Sequence, residues 1–314
     1  MELGDEMNNS EKITFSRINN LALSPREFVC ACTDEYIKTV DAAAQRIFFD
    51  ESKKIVTLAG PSSSGKTTTA ALLSKSIEKL GAKAFTVSLD DFYFSHSENR
   101  YPLDENGAPD YESVYALDVE NIHRCFAELA ESGESVLPVF DFTKGERIDG
   151  ARKIVLAKND IIIVEGLHAL NPLITENLKK ENIFKIYVSV SSRVYENDGS
   201  VLLSKRDLRF IRRMVRDNSF RATQPEKTFE IWQSVMRGED KYLFPFEEYA
   251  DIKLNSFHPC EPCVIAAQAV PLLKRVSGEY VPKAASLAEK LSLFKRIDKT
   301  LLPENSLLRE FTGM

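Results

Sequence analysis

Lys54-Ile-Val-Thr-Leu-Ala59, followed at once by Gly60-Pro-Ser-Ser-Ser-Gly-Lys-Thr-Thr68, decides the fold of this chain. The first stretch is short, apolar and rich in β-branched residues, so it reads as a buried strand. The second places four residues between Gly60 and Gly65 and then Lys66 and Thr67, the spacing of a phosphate-binding loop between a strand and a helix. Glycine lets such a backbone turn tightly, so that successive N–H groups converge on a phosphate. The helix that follows adds the positive end of its dipole. Lys66 supplies a mobile cation for the outer phosphates, and the Thr67 hydroxyl can ligate Mg²⁺. The predicted set for a nucleoside triphosphate is therefore Gly60, Ser62, Ser63, Ser64, Gly65, Lys66, Thr67 and Thr68.

Working outward, a helix is expected over 66–80 with Gly81 as its C-cap. A second strand is expected over 84–89. This strand-loop-helix-strand order predicts an α/β fold, a P-loop NTPase whose parallel central sheet is flanked by helices. Residues 160–165, Asp-Ile-Ile-Ile-Val-Glu, are the most apolar strand and belong at the centre of the sheet. Glu165 ends that strand, where a carboxylate can hold Mg²⁺ together with Thr67. Further strands are expected over 184–190 and 250–254. Helices are expected from 25 to about 50, and over 119–132, 204–218, 225–237, 263–275 and 283–297. Residues 1 to about 24 are polar and weakly periodic, and 91–116 form a long irregular loop of the functional kind. The expected division is a mostly helical lead-in over 1–50, a P-loop domain over 51–256, and a helical extension over 257–314 packed on the same domain.

The 314 residues carry a net charge of −6, which argues against general nucleic-acid binding. No apolar run reaches membrane-spanning length, and the opening MELGDEMNNSEK lacks the layout of a signal peptide. Five cysteines, few and odd in number, point to a reduced cytoplasmic protein. Cys260 and Cys263 follow His258, but no second CxxC completes a zinc site. Homo-oligomerisation is compatible with the sequence.

The second strand runs into Ser88-Leu-Asp-Asp-Phe-Tyr93. Ligands in open α/β sheets sit beyond the carboxyl ends of the strands, which brings Asp90 close to a terminal phosphate. A carboxylate there can take the proton of an attacking hydroxyl; one of Asp90 and Asp91 caps the turn instead. Phe140 and Phe142 flank Asp141 at strand spacing and face either the core or a pocket. Between Lys205 and Arg221 seven basic residues meet two acidic ones. Arg206, Arg209, Arg213 and Arg216 fall on one helical face, where like charges repel and call for an anion. An arginine-rich lid helix over a triphosphate is the functional reading, and a solvated face with acidic partners is the other.

Taken in order, GPSSSGKTT, SLDDFY, LPVFDFTKGER, IIIVEGLHALN and LRFIRRMVRD resemble the uridine kinase/phosphoribulokinase family of P-loop kinases, nearest to its bacterial uridine kinase-like branch. The resemblance covers about 54–256, and the ending 302–313 also looks like that branch. It implies an ATP- and Mg²⁺-dependent transfer to a small-molecule hydroxyl acceptor, most simply the 5′-OH of a nucleoside such as uridine or cytidine. It implies that Asp90 is the catalytic carboxylate, with Lys66 and Arg216 acting on the moving phosphoryl group. Tyr93, Asp110, Phe140, Phe142 and Arg147 would bind the acceptor. Arg212, Arg213, Arg216 and Arg221 match the arginines of the family's lid. Two alternatives stand beside this: a sugar-phosphate kinase using Lys144 or Arg147, and a catalytically weak nucleotide-binding regulator.

Overall fold

The computed structural model describes residues 12–105 and 107–313. The polar stretch 1–11, and with it most of MELGDEMNNSEK, lies outside the described residues. The chain opens with α1 (Phe15–Leu21) and α2 (Pro25–Phe48). Within the weakly periodic stretch before Pro25, the described residues thus include a helix of their own. Thr14 caps α1 by accepting the Arg17 N–H, and Ile18 is buried beneath it.

The order then runs β1 (Ile55–Ala59), α3 (Lys66–Leu80), β2 (Ala84–Ser88), α4 (Val119–Glu131), β3 (Glu134–Asp141), β4 (Glu146–Val155), β5 (Ile161–Glu165), α5 (Pro172–Thr175) and β6 (Ile183–Ser189). A short ribbon, β7 (Val194–Tyr195) and β8 (Val201–Leu203), leads into α6 (Lys205–Arg221) and α7 (Pro225–Tyr242). β9 (Ile252–Asn255), α8 (Glu261–Arg275), α9 (Val281–Ser292) and α10 (Arg309–Thr312) complete it.

Five strands form one parallel sheet in the order β2-β5-β1-β6-β9. β1 holds the middle, and β5 lies beside it, between β1 and β2. Both are buried along their whole length because helices cover both faces. Alternation sorts their side chains. Val56, Leu58 and Ile163 join α2, α3, α6, α8 and α9 on one face; Ile55, Ile162 and Val164 join α4 and the β3–β4 hairpin on the other.

Two expected helices shift their C-terminal end by five residues. α7 runs through Gly238 to Tyr242 instead of stopping near residue 237. Glu112 explains the glycine: a Cβ there would lie 2.5 Å from the Glu112 Cβ. α9 ends at Ser292, before residue 297. Residues 135–153, read as a strand and a charged hairpin, form the antiparallel pair β3–β4 outside the main sheet.

Candidate active site

β1 delivers the loop at Gly60, where the backbone passes so close to β6 that a Cβ would sit 2.1 Å from the Val188 carbonyl. Ser63 takes a left-handed φ of 58°, a strained conformation at a site of close backbone curvature. α6 and α7 brace this loop from outside. Glu239 accepts the Ser62 N–H at 2.8 Å, and Arg209 donates to the Ser62 carbonyl at 3.1 Å. Arg213 donates to the Ser62 hydroxyl at 2.5 Å and Arg212 to the Ser63 carbonyl at 3.3 Å. The inner side of the loop is left for a ligand. Lys66 Nζ donates to the Pro61 carbonyl at 3.3 Å, and the buried Ser63 and Ser64 hydroxyls have no hydrogen-bond partner among the described residues.

The basic helix divides into two groups. Arg209 makes two bonds to Glu239, at 2.6 and 2.7 Å, and Arg212 makes two to Glu261, both at 2.6 Å. These pairs are buried. Arg206 reaches outward to Asp240 at 2.9 Å. Arg213, Arg216 and Arg221 converge on Asp217 and line the cleft over the loop. The expectation that the cluster as a whole awaits an anion is therefore corrected, because Glu239, Glu261 and Asp217 already offset much of its charge. Arg212, matched to the lid arginines, does not line the cleft and braces the loop from behind.

Register sets the acidic side. Glu165 stands level with Leu58 on β1 and Ser88 on β2, and accepts the Ser88 hydroxyl at 3.1 Å. Burial pushes its pKa up to about 7, with Lys66 pulling the other way. Asp90 and Asp91 divide their work. Asp91 accepts the Phe140 N–H at 3.2 Å and so braces the hairpin, while Ser88 caps the turn. Asp90 faces the cleft, in reach of its solvent yet ringed by protein mass. That surround lifts its pKa above the usual carboxylate value, against the pull of Lys66. Lys66, Thr67, Asp90, Tyr93 and Glu165 all line one cleft with Arg213, Arg216 and Arg221.

The other residues expected on the acceptor side separate. Asp110 is outside the cleft lining, taken up by the Tyr242 hydroxyl at 2.9 Å and the Glu112 N–H at 3.2 Å. Arg147 is held by Asp118 and Asp149, each at 2.9 Å, and does not line the cleft either. Phe140 is buried, whereas Phe142 is 66% exposed, with ring centres 4.9 Å apart. Phe140 also meets Tyr93 at 5.9 Å and His96 at 6.1 Å, and Tyr101 meets Tyr111 at 4.7 Å. An aromatic shelf thus borders the acidic floor.

Three cleft carboxylates escaped the sequence reading: Glu112, Glu239 and Glu310. Burial raises the Glu112 pKa to about 7, opposed by Arg213 and helped by Glu239 and Asp90. Its one signal was position, two residues past Asp110 in the same acidic loop. Glu239 and Glu310 gave none, since each meets the loop across a long chain separation.

A parallel sheet, a braced phosphate loop and a carboxylate facing it define a P-loop phosphotransferase. The phosphoribulokinase/uridine kinase family model matches residues 55–260, so the chain belongs to that family of ATP-dependent kinases acting on small molecules. It is 27% identical to a uridine kinase of Macrococcus caseolyticus over 201 residues, covering 63% of this chain and 85% of that one. It is 30% identical to a uridine kinase of Borrelia duttonii over 201 residues, covering 63% and 84%. Among solved structures it is similar in fold to one described as a fructose transport system kinase from Silicibacter sp. TM1040. That match has TM-score 0.50 and 18% identity, over 68% of this chain and 98% of that one. Among the described residues no helix is long and apolar enough to cross a membrane.

Proposed function

We propose that this kinase moves the γ-phosphoryl group of ATP to a hydroxyl of an uncharged acceptor bearing a flat ring, most simply the 5′-OH of a nucleoside such as uridine or cytidine. The observation that carries the proposal is Asp90, a carboxylate in the same cleft as Lys66 and Arg216 and beside Tyr93. A raised pKa makes Asp90 a stronger base toward an approaching hydroxyl. Lys66, Arg213, Arg216 and Arg221 neutralise charge on the phosphates as the bond to the leaving oxygen lengthens. Thr67 and Glu165 would hold Mg²⁺. The high pKa of Glu165 marks a buried negative charge that a cation would offset. Mg²⁺, when bound, supplies further neutralisation of the phosphate oxygens.

The acceptor side supports an uncharged molecule. It presents Asp90, Glu112 and the Tyr93 ring, while Arg147 is already paired twice and Lys144 is an exposed partner of Asp141. A sugar phosphate would bring a dianion toward Asp90 and Glu112, with Arg147 and Lys144 already engaged by their own carboxylates. The aromatic shelf offers ring stacking to a base, and the relatives named uridine kinase agree with that. A coupled ADP-release assay over nucleosides, free sugars and sugar phosphates tests the proposal. Turnover is expected with a pyrimidine nucleoside. Turnover confined to sugar phosphates, or equal ADP release without any acceptor, contradicts it.

A further inference from the structure

The ending of the chain has no part in the reaction above, yet it lies on the phosphate loop. Leu307 is buried against Gly65, where a Cβ would stand 2.6 Å from its Cδ1. Phe311 is buried with the Arg212 guanidinium 4.7 Å from its ring centre. Lys299 Nζ ties down the Thr312 and Gly313 carbonyls at 2.9 and 2.6 Å. The backbone here is fixed, and between its two buried anchors it carries Glu310 to the first turn of α3. Glu310 Oε2 accepts the Thr68 hydroxyl at 2.6 Å and the Thr68 N–H at 3.2 Å.

The position of Thr68 gives this contact its meaning. The first N–H groups of a helix have no partner within it, and they form the anion cradle of a phosphate loop. In α3 the Thr69 N–H already turns back to the Gly65 carbonyl at 2.9 Å. Thr68 is therefore the last donor of the cradle, and a carboxylate holds both its N–H and its hydroxyl. A phosphate oxygen needs the same two donors. We propose that Glu310 is a built-in competitor for nucleotide: it holds Thr68 until phosphate arrives, then swings aside while Leu307 and Phe311 keep their places. This rests on the nucleotide reading of the cleft. Its consequence is weaker binding of product as well as substrate, which favours release of ADP.

The test is calorimetric titration of tripolyphosphate, ADP and ATP, each with Mg²⁺, into the full chain and into Glu310→Gln and Glu310→Ala. Glutamine keeps the shape and an acceptor oxygen but removes the charge, and thermal unfolding of each variant checks its fold. Both variants should bind all three ligands at least about threefold tighter, with alanine showing the larger gain. Unchanged or weaker binding of all three overturns the proposal. Weaker ADP and ATP binding with tripolyphosphate unchanged also overturns it, because Glu310 would then contact the nucleoside. If the unaltered chain binds none of the three, the nucleotide site itself falls, and the competitor with it. If it binds them and the variants gain nothing, only the competitor falls.

Discussion

The phosphate loop and the aromatic cluster around Tyr93 meet at one cleft, but buried charge braces the first and aromatic contact the second. Ser62 and Ser63 are held by Arg209, Arg212, Arg213 and Glu239, all from α6 and α7. Tyr93, Phe140 and Tyr111 come from a long loop and a hairpin outside the main sheet, and Phe142 stands in solvent. Gly238 and Glu239 join the two sides, since one makes room for Glu112 and the next grips Ser62.

Substitutions can break this contrast. The largest effect belongs to Asp90→Asn, which should lower kcat by about 10²–10⁴ while leaving ATP affinity within a few-fold. Full activity would remove Asp90 as the base. The two groups of arginine come next. Arg216→Ala should lower kcat by about 10²-fold with little change in unfolding temperature. Arg212→Ala should instead destabilise the fold by about 3–5 kcal/mol, because it leaves Glu261 buried and unpaired. Denaturant unfolding beside steady-state kinetics separates the two, and equal stability losses would erase the distinction drawn within α6.

On the acceptor side, Glu112→Gln should raise the acceptor KM about tenfold with the ATP KM unmoved. An equal rise in both would place Glu112 with the donor half. The smallest effect is on stability against pH. Glu112 and Glu165 have an ordinary value of 4.5 and are raised to about 7 in the folded chain. The folded state therefore binds more protons between those values, so stability should fall as pH rises from about 4.5 through 7. Glu112→Gln should flatten that slope by a few degrees of unfolding temperature.

How much of this the sequence disclosed depends on chain distance. The loop Gly60–Thr68, the strand before it and Glu165 were legible because each is local: a run, a spacing and a strand end. Helical spacing placed Arg213 and Arg216 on one face, but it could not show that Glu239 and Glu261 reach across from α7 and α8. The partition of the arginines depends on those two carboxylates. The family resemblance points to Asp110 and not to Glu112; both sit in an irregular loop, where no periodicity fixes which side chain turns inward. Glu310 meets Thr68 from the far end of the chain, and only the folded packing of Leu307 and Phe311 brings it there.

The fate of the γ-phosphoryl group itself decides whether this kinase serves a nucleoside. Phosphorus NMR of the full chain with ATP, Mg²⁺ and an equimolar mixture of uridine, free ribose and a pentose phosphate reports where that group goes. A nucleoside 5′-monophosphate signal is expected to grow in step with ADP. Growth of inorganic phosphate alone, or of a sugar bisphosphate in place of the nucleotide, would contradict it.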